Sequence, residues 1–548
     1  MGRGWRLLWC LLCVAQGAAQ TTIRARPVLH EDALAYRGVY VVDIQRRGGD
    51  TRGVLVVRDA LGAQSTYELD LAANARKRLY LNIAIQRPPG NLRRVAAPRI
   101  EWQSVDGERA PVDAPSPVPI HLPIVVVGDL IGGLETLNKH SVEVLSILAP
   151  RDKNSRMPLK VYYWRAGDLP DDWRTLLELP FLVLTEGAET LTDAQLRALH
   201  TWLNAGGTLL IDTGAFINWR ATPFAELIAP TQFATPYQPA YTTSGAPKLL
   251  YRRVGRGILY LYEGNLRMAR AGNRHEPILL HTAQGVVLPS EQLQREFQAW
   301  VEAARPPTRY ARVWAGIAVL CAYAAAVWLL SAWLRRRRRL ANVFKPLAGL
   351  TLIASVAIVL LAPRLPQRDP VVMHTVYQSD ATPGLEFSVL SATLGAGRHR
   401  LTLPDDALLL ESRTQPNASL SVRYSTAPPE AQLHCHAHTT VMLCFARPVA
   451  SEPRLIVQRA GGQLIIRNIG REALLSVNLQ LQQNPLTPSA TLWEQERLLP
   501  NQTATVQLPP MVRYARLWLR ATLPRREPVV ALSGEPVQEV SYLFVEVP

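Results

Sequence analysis

The sequence predicts a multidomain protein that mixes α/β and all-β parts. A doubly wound α/β domain stands between β-sandwich domains, and a two-helix membrane hairpin lies near the middle of the chain. Three observations predict this. Residues 313–334 are an apolar run without a charge, long enough to cross a bilayer as a helix. Residues 346–363 are a second, shorter run that reaches spanning length if Lys345 snorkels. Around the two runs, short strand patterns fill both ends of the chain, and one stretch alternates strands with helices.

The chain has 548 residues, which suggests three or four domains. Residues 1–19 read as a secretory signal. Arg3 and Arg6 precede a short apolar core, and Gly17, Ala18 and Ala19 give small residues before Gln20. An uncleaved first membrane helix is the alternative, against which the short run argues.

Residues 20–120 read as a β-sandwich. The segments 39–44, 53–58, 66–71 and 78–85 are rich in β-branched and aromatic residues, and turn clusters such as 47–50 and 87–90 separate them.

Residues 121–285 change pattern. Ile124 to Val127 form a wholly apolar strand, and Gly128, Asp129, Gly132 and Gly133 follow in a glycine-rich turn. Further strands are expected at 159–164, 181–185 and 208–212. The clearest helix starts at a capping box of Thr192 and Gln195, buries Leu196, Leu199 and Leu203, and stops at Gly206 and Gly207. A hairpin at 249–253 and 258–262 closes the domain.

These residues carry a resemblance. Phe181 to Thr185, Leu191 to Gln195 and Trp202 to Ile211 resemble the class I glutamine amidotransferase-like domain of bacterial membrane-anchored proteins, in which immunoglobulin-like β domains flank it. The resemblance implies a flavodoxin-like, amidotransferase-like fold and placement at a bacterial cell membrane. It does not extend to the chemistry. Glutaminases use a cysteine on a strand-to-helix elbow. The chain's cysteines are Cys10, Cys13, Cys321, Cys435 and Cys444, none of them in this domain, and no Gly-x-Ser-x-Gly occurs. No catalytic residue is assigned, and no cofactor is expected.

A binding site remains expected where open α/β sheets hold their ligands, beyond the carboxyl ends of the strands. The ligand-binding candidates there are Asp129, Gly132, Gly133, Glu186, Asp212 and Thr213, with Glu263 as a further acid. A purely steric role for the glycines explains the same turn.

Residues 286–312 read as a helix and a Pro-rich link, 313–334 as the first membrane helix, 335–345 as a cytoplasmic loop with five consecutive arginines, and 346–363 as the second membrane helix. Both large flanking regions are then expected to be extracytoplasmic. Residues 364–450 and 451–548 read as two further β domains.

The net charge of +16 does not point to nucleic acid, because no basic run interleaves with stacking aromatics. The partners expected are the lipid bilayer and other envelope proteins. His434, His436 and His438 alternate along a strand and could face one metal, though a solvated polar face explains the spacing equally. Cys435 and Cys444 fit a disulfide across a hairpin turning at Thr439 and Thr440. Two separate buried thiols are the alternative.

The functional expectation is a non-enzymatic, membrane-anchored envelope protein that binds partners or a ligand, in the manner of an accessory to a transport or assembly system. The alternative is an anchored hydrolase that uses the strand-end acids.

Overall fold

A computed structural model describes residues 20–27, 37–58, 64–84, 98–112, 121–130, 132–143, 156–229, 237–241, 249–267, 276–283, 321–329, 331–333, 351–353, 370–379, 383–414, 418–424, 428–436, 439–450, 452–481, 490–510, 517–524 and 529–547, with a few single positions between them. Strands dominate these residues.

The central hairpin is corrected. Among the described residues no helix is long and apolar enough to cross a membrane. A span needs about 20 residues, and the helical residues described in this region are 321–329, 331–333, 336, 349 and 351–353. Most of the arginine loop and the expected signal lie outside the described residues. The expected placement at a bacterial cell membrane, with extracytoplasmic flanks, needed that hairpin as its anchor and is corrected with it.

The α/β part is corrected as well. Five strands, Arg156–Trp164, Leu122–Val127, Phe181–Leu184, Thr208–Asp212 and Gly257–Tyr262, lie side by side in parallel in that spatial order. Three of them, Leu122–Val127, Phe181–Leu184 and Thr208–Asp212, are buried throughout, as their unbroken apolar sequences require. Antiparallel strands then extend the sheet at both edges: Ser141–Glu143 on one side, Leu249–Val254 and Gln238–Tyr241 on the other.

A doubly wound fold wraps each crossover in a helix. Among the described residues, the one α-helix longer than four residues in a crossover between these parallel strands is Asp193–Ala205. The link before Phe181 holds a 3-10 turn at Ala166–Asp168 and the single α-helical turn Trp173–Leu176. Among the described residues the unit is therefore a mixed sheet with sparse helical cover, and strands dominate the rest.

The Asp193–Ala205 helix forms for readable reasons. The Gln195 backbone N–H donates to Thr192 Oγ1 at 3.3 Å, and the Thr192 N–H donates to Gln195 Oε1 at 2.9 Å, closing the capping box. Gly206 ends the helix at φ +122°, a conformation that favours glycine. The next residue must also be glycine, because a Cβ at Gly207 would come within 2.3 Å of the Trp202 ring. That ring is buried and donates from Nε1 to the Leu179 carbonyl at 2.9 Å, which fixes the helix on the sheet.

The β regions join in two composite sheets. The strand Ala418–Arg423 pairs in parallel with Gln64–Leu71, matching Ser421 with Gln64 and Arg423 with Thr66. Tyr67 and Tyr424 stack across the join at 5.4 Å between ring centres. Nine strands thereby form one sheet from three separate parts of the chain. The strand Val371–Tyr377 pairs in parallel with Gln538–Glu546 over seven positions and unites an eight-stranded sheet.

Leu390, Leu443 and Phe445 of the eight-stranded sheet pack with Leu401, Leu420 and Leu433 of the nine-stranded one. On its other face, Phe387, Val389 and Ala446 share a core with Leu199, Leu203 and Leu259 of the α/β part. Asn204 Nδ2 donates to the Pro383 carbonyl at 3.0 Å, and the Arg256 guanidinium lies 4.0 Å over the Tyr377 ring.

The expected cysteine hairpin does not form. Glu430–Cys435 pairs with Gly397–Thr402 and Ala418–Arg423, while Thr439–Val449 pairs with Gly384–Leu394 and Leu408–Thr414. The two strands thus belong to different sheets. Cys435 faces the core between the sheets and Cys444 the core on the far side, so both remain buried thiols. Burial raises the Cys435 thiol pKa. Both thiols are expected to alkylate only after unfolding and without reductant. A linked pair of cysteine peptides in the unreduced protein would contradict this arrangement.

Candidate functional site

The carboxyl edge of the parallel strands brings most of the predicted residues together. Asp129 follows the Leu122 strand, and its backbone N–H donates to the Glu186 carbonyl at 2.6 Å. Gly187 lets Asp129 approach, since a Cβ there would meet Asp129 Cγ at 2.6 Å. Glu186 accepts from Arg267 Nη1 at 2.7 Å. The pair is largely exposed, so it orders the edge more than it stabilises the fold.

One step along the sheet, Asp212 Oδ2 accepts from the Leu266 N–H at 2.7 Å, and Thr213 Oγ1 donates to the Tyr262 carbonyl at 2.9 Å. The segment of Leu266 and Arg267 therefore ties the Asp212 end to the Glu186 end. Gly132 is buried and Gly133 exposed, with the Gly133 N–H donating to Glu135 Oε2 at 2.7 Å. Both belong to a local turn. Glu263 is exposed beyond the neighbouring strand.

Asp212 is the unusual member. It is fully buried, and burial pushes its carboxyl up to about 7, against the lowering pull of the Leu266, Ala215 and Gly214 amides. Its Oδ1 closes no hydrogen bond among the described residues. The adjacent Tyr262 phenol is raised as well, by burial and then by Asp212. A carboxyl near neutrality can act as acid or base, but only on a group that reaches it.

Sequence reasoning missed a second cluster. His374 lies in the Val371 strand, Glu386 and Ser388 in Gly384–Leu394, Arg447 in Thr439–Val449 and Glu539 in Gln538–Glu546. All five point to one face of the eight-stranded sheet. His374 Nδ1 is 2.8 Å from Ser388 Oγ and 3.3 Å from Glu386 Oε1, and Nε2 is 3.1 Å from Glu539 Oε2. Arg447 Nε donates to Glu386 Oε1 at 3.0 Å. The Val529 and Val530 amides each donate to Glu539 Oε1 at 2.7 Å.

Burial alone would lower the His374 pKa, but hydrogen bonds and charge from Glu386 and Glu539 outweigh it and raise it. Burial would raise Glu386, yet His374 and Arg447 hold it down at about 2. The available signal was a lone His and a lone Glu inside otherwise apolar strands, where an unpaired charge is costly.

Ser388, His374 and Glu539 have the order of a nucleophile, base and acid. Ser388, however, is 0% exposed in mid-strand and shares Nδ1 with a second carboxylate. No substrate carbonyl can approach it in this arrangement. The cluster is a charged clasp across the parallel seam.

His434 and His436 are both exposed, with ring centres 4.6 Å apart, while His438 lies outside the described residues. No group of three metal-ligating side chains occurs among the described residues.

No protein family matches the chain, and no curated protein does. Two solved structures are the yeast delta-COP-I mu-homology domain in complex with a Dsl1 WxWxV peptide, and the same yeast domain alone. Each has 9% identity and covers 33% of this chain and 97% of its own, with TM-scores of 0.20 and 0.19. Likeness at that level carries no argument about fold or function.

Proposed function

We propose that the protein is a non-enzymatic binding scaffold, whose sheets present surfaces to partner macromolecules. The observation that carries this reading is how the strand-end acids are engaged. Arg267 holds Glu186, the Leu266 amide holds a buried Asp212, and Thr213 is turned onto the Tyr262 carbonyl. Such an edge supports a stitched structural margin more than an open reaction site. The composite sheets support the same reading, because they fix distant parts of the chain rigidly with respect to one another.

A hydrolase built on the strand-end acids draws on one observation, the carboxyl of Asp212 near neutrality. Its complete burial weighs against that use. A direct test incubates the full chain with a metabolite extract of its host and follows the mixture by mass spectrometry. No compound should be consumed by the native chain and spared by the D129N/E186Q/D212N variant. One such compound would overturn the scaffold reading.

A further inference from the structure

We propose that a groove on the outer face of the nine-stranded sheet binds a short acidic segment of a partner polypeptide; this deepens the scaffold reading and rests on it. The groove encloses about 480 Å³. Its floor is two cross-strand rows set by register. In the first, Arg398, His434 and Ser419 lie side by side on three strands. In the second, Arg400, Gln432 and Ser421 continue to Gln64 on a fourth strand, across the seam with the N-terminal region. From strand spacing the floor measures roughly 14 Å by 7 Å.

Charge selects the occupant. The carboxylates nearby already have cations. Glu430 pairs with Arg400, and Glu68 lies 3.9 Å from Arg423. Arg398 is exposed and has no ion pair among the described residues. The groove therefore offers one uncompensated guanidinium fork, suited to bidentate contact with a carboxylate. Beside it, the Ser419 and Ser421 hydroxyls and the Gln432 amide can both donate and accept. That mixture matches the alternating N–H and C=O groups of an extended backbone with acidic side chains. The floor is longer than a single small anion needs.

The test uses the full chain and a fluorescein-labelled peptide of alternating Asp and Gly, followed by fluorescence anisotropy. The native chain should bind it, and binding should weaken as salt rises. R398E should weaken binding by about tenfold or more, with R398Q between the two. R471E makes the same charge change at an exposed site elsewhere and should leave affinity within about twofold. The proposal is overturned by absence of binding, by equal binding of an Asn-Gly peptide, or by equal losses in R398E and R471E. Displacement by inorganic phosphate as effective as by unlabelled peptide would also overturn it, by marking a bare anion site. Failure of the scaffold reading appears separately, as turnover of a host compound by the native chain.

Discussion

Replacing Glu386 with leucine should loosen the seam between the Val371 and Gln538 strands by about 3–5 kcal/mol, the usual cost of removing one partner from a buried charge cluster. The substitution removes the acceptor of Arg447 Nε and one of the two carboxylates at His374, both inside a packed sheet. The loss should depend on pH. Glu386 titrates at about 2 in the fold, below its ordinary 4.5, so its contribution is present above pH 4.5 and fades as pH falls toward 2. His374 is raised above its ordinary 6.5, so its contribution is full below that pH and fades as pH rises through the folded value. Native and variant should therefore differ most between about pH 4.5 and 6.5. Hydrogen exchange of peptides covering 371–377 and 538–546 reads this seam locally. At pH 5.5 their exchange should quicken by about a hundredfold or more. Unchanged protection there would show that the clasp does not hold the seam.

How much of this was legible in the sequence depends on how far apart the interacting residues lie. Ile124 to Val127, Thr192 with Gln195, and Gly206 with Gly207 each announce their own structure, because the physics acts within a few residues. Layering was not legible. A run of strand and helix signals implied helices on both faces, but among the described residues only the Asp193–Ala205 crossover is a full α-helix. The central apolar runs met a length criterion that the described helices do not.

The seams were illegible for a different reason. Ser421 pairs with Gln64 and Val371 with Gln538 through backbone groups that every residue carries, so no local pattern marks them. The cysteine hairpin is absent for a separate reason, since the strands of Cys435 and Cys444 each pair with two other strands. The candidate site was legible in position and misleading in character. Asp129, Glu186, Asp212 and Thr213 do gather at one edge, yet Leu266 and Arg267, which occupy two of them, lie in a loop with no recognisable motif.

Asp212 yields a second large effect, with the opposite dependence on pH. Its carboxyl titrates at about 7 in the fold instead of 3.8, because burial disfavours the charge more than three backbone amides favour it. Between those values the folded state keeps a proton that the unfolded state has lost, so stability falls as pH rises through this interval. Above pH 7 the ionised group destabilises the fold by the whole difference, on the order of 2–4 kcal/mol. Asp212→Asn preserves an oxygen to accept the Leu266 N–H and carries no charge at any pH. The variant should match the native chain near pH 4 and exceed it increasingly toward pH 8.5. Urea unfolding across that range, with exchange of 208–212 and 257–262 as the local reading, measures the difference. A variant no more stable than the native chain at pH 8.5 would mean that Asp212 ionises without penalty, and its carboxyl would then titrate near 4 by carbon NMR. The same titration bears on function. A buried proton held to neutrality makes this edge most stable when Asp212 is neutral, whereas acid or base catalysis would require the carboxyl to exchange its proton with a bound substrate.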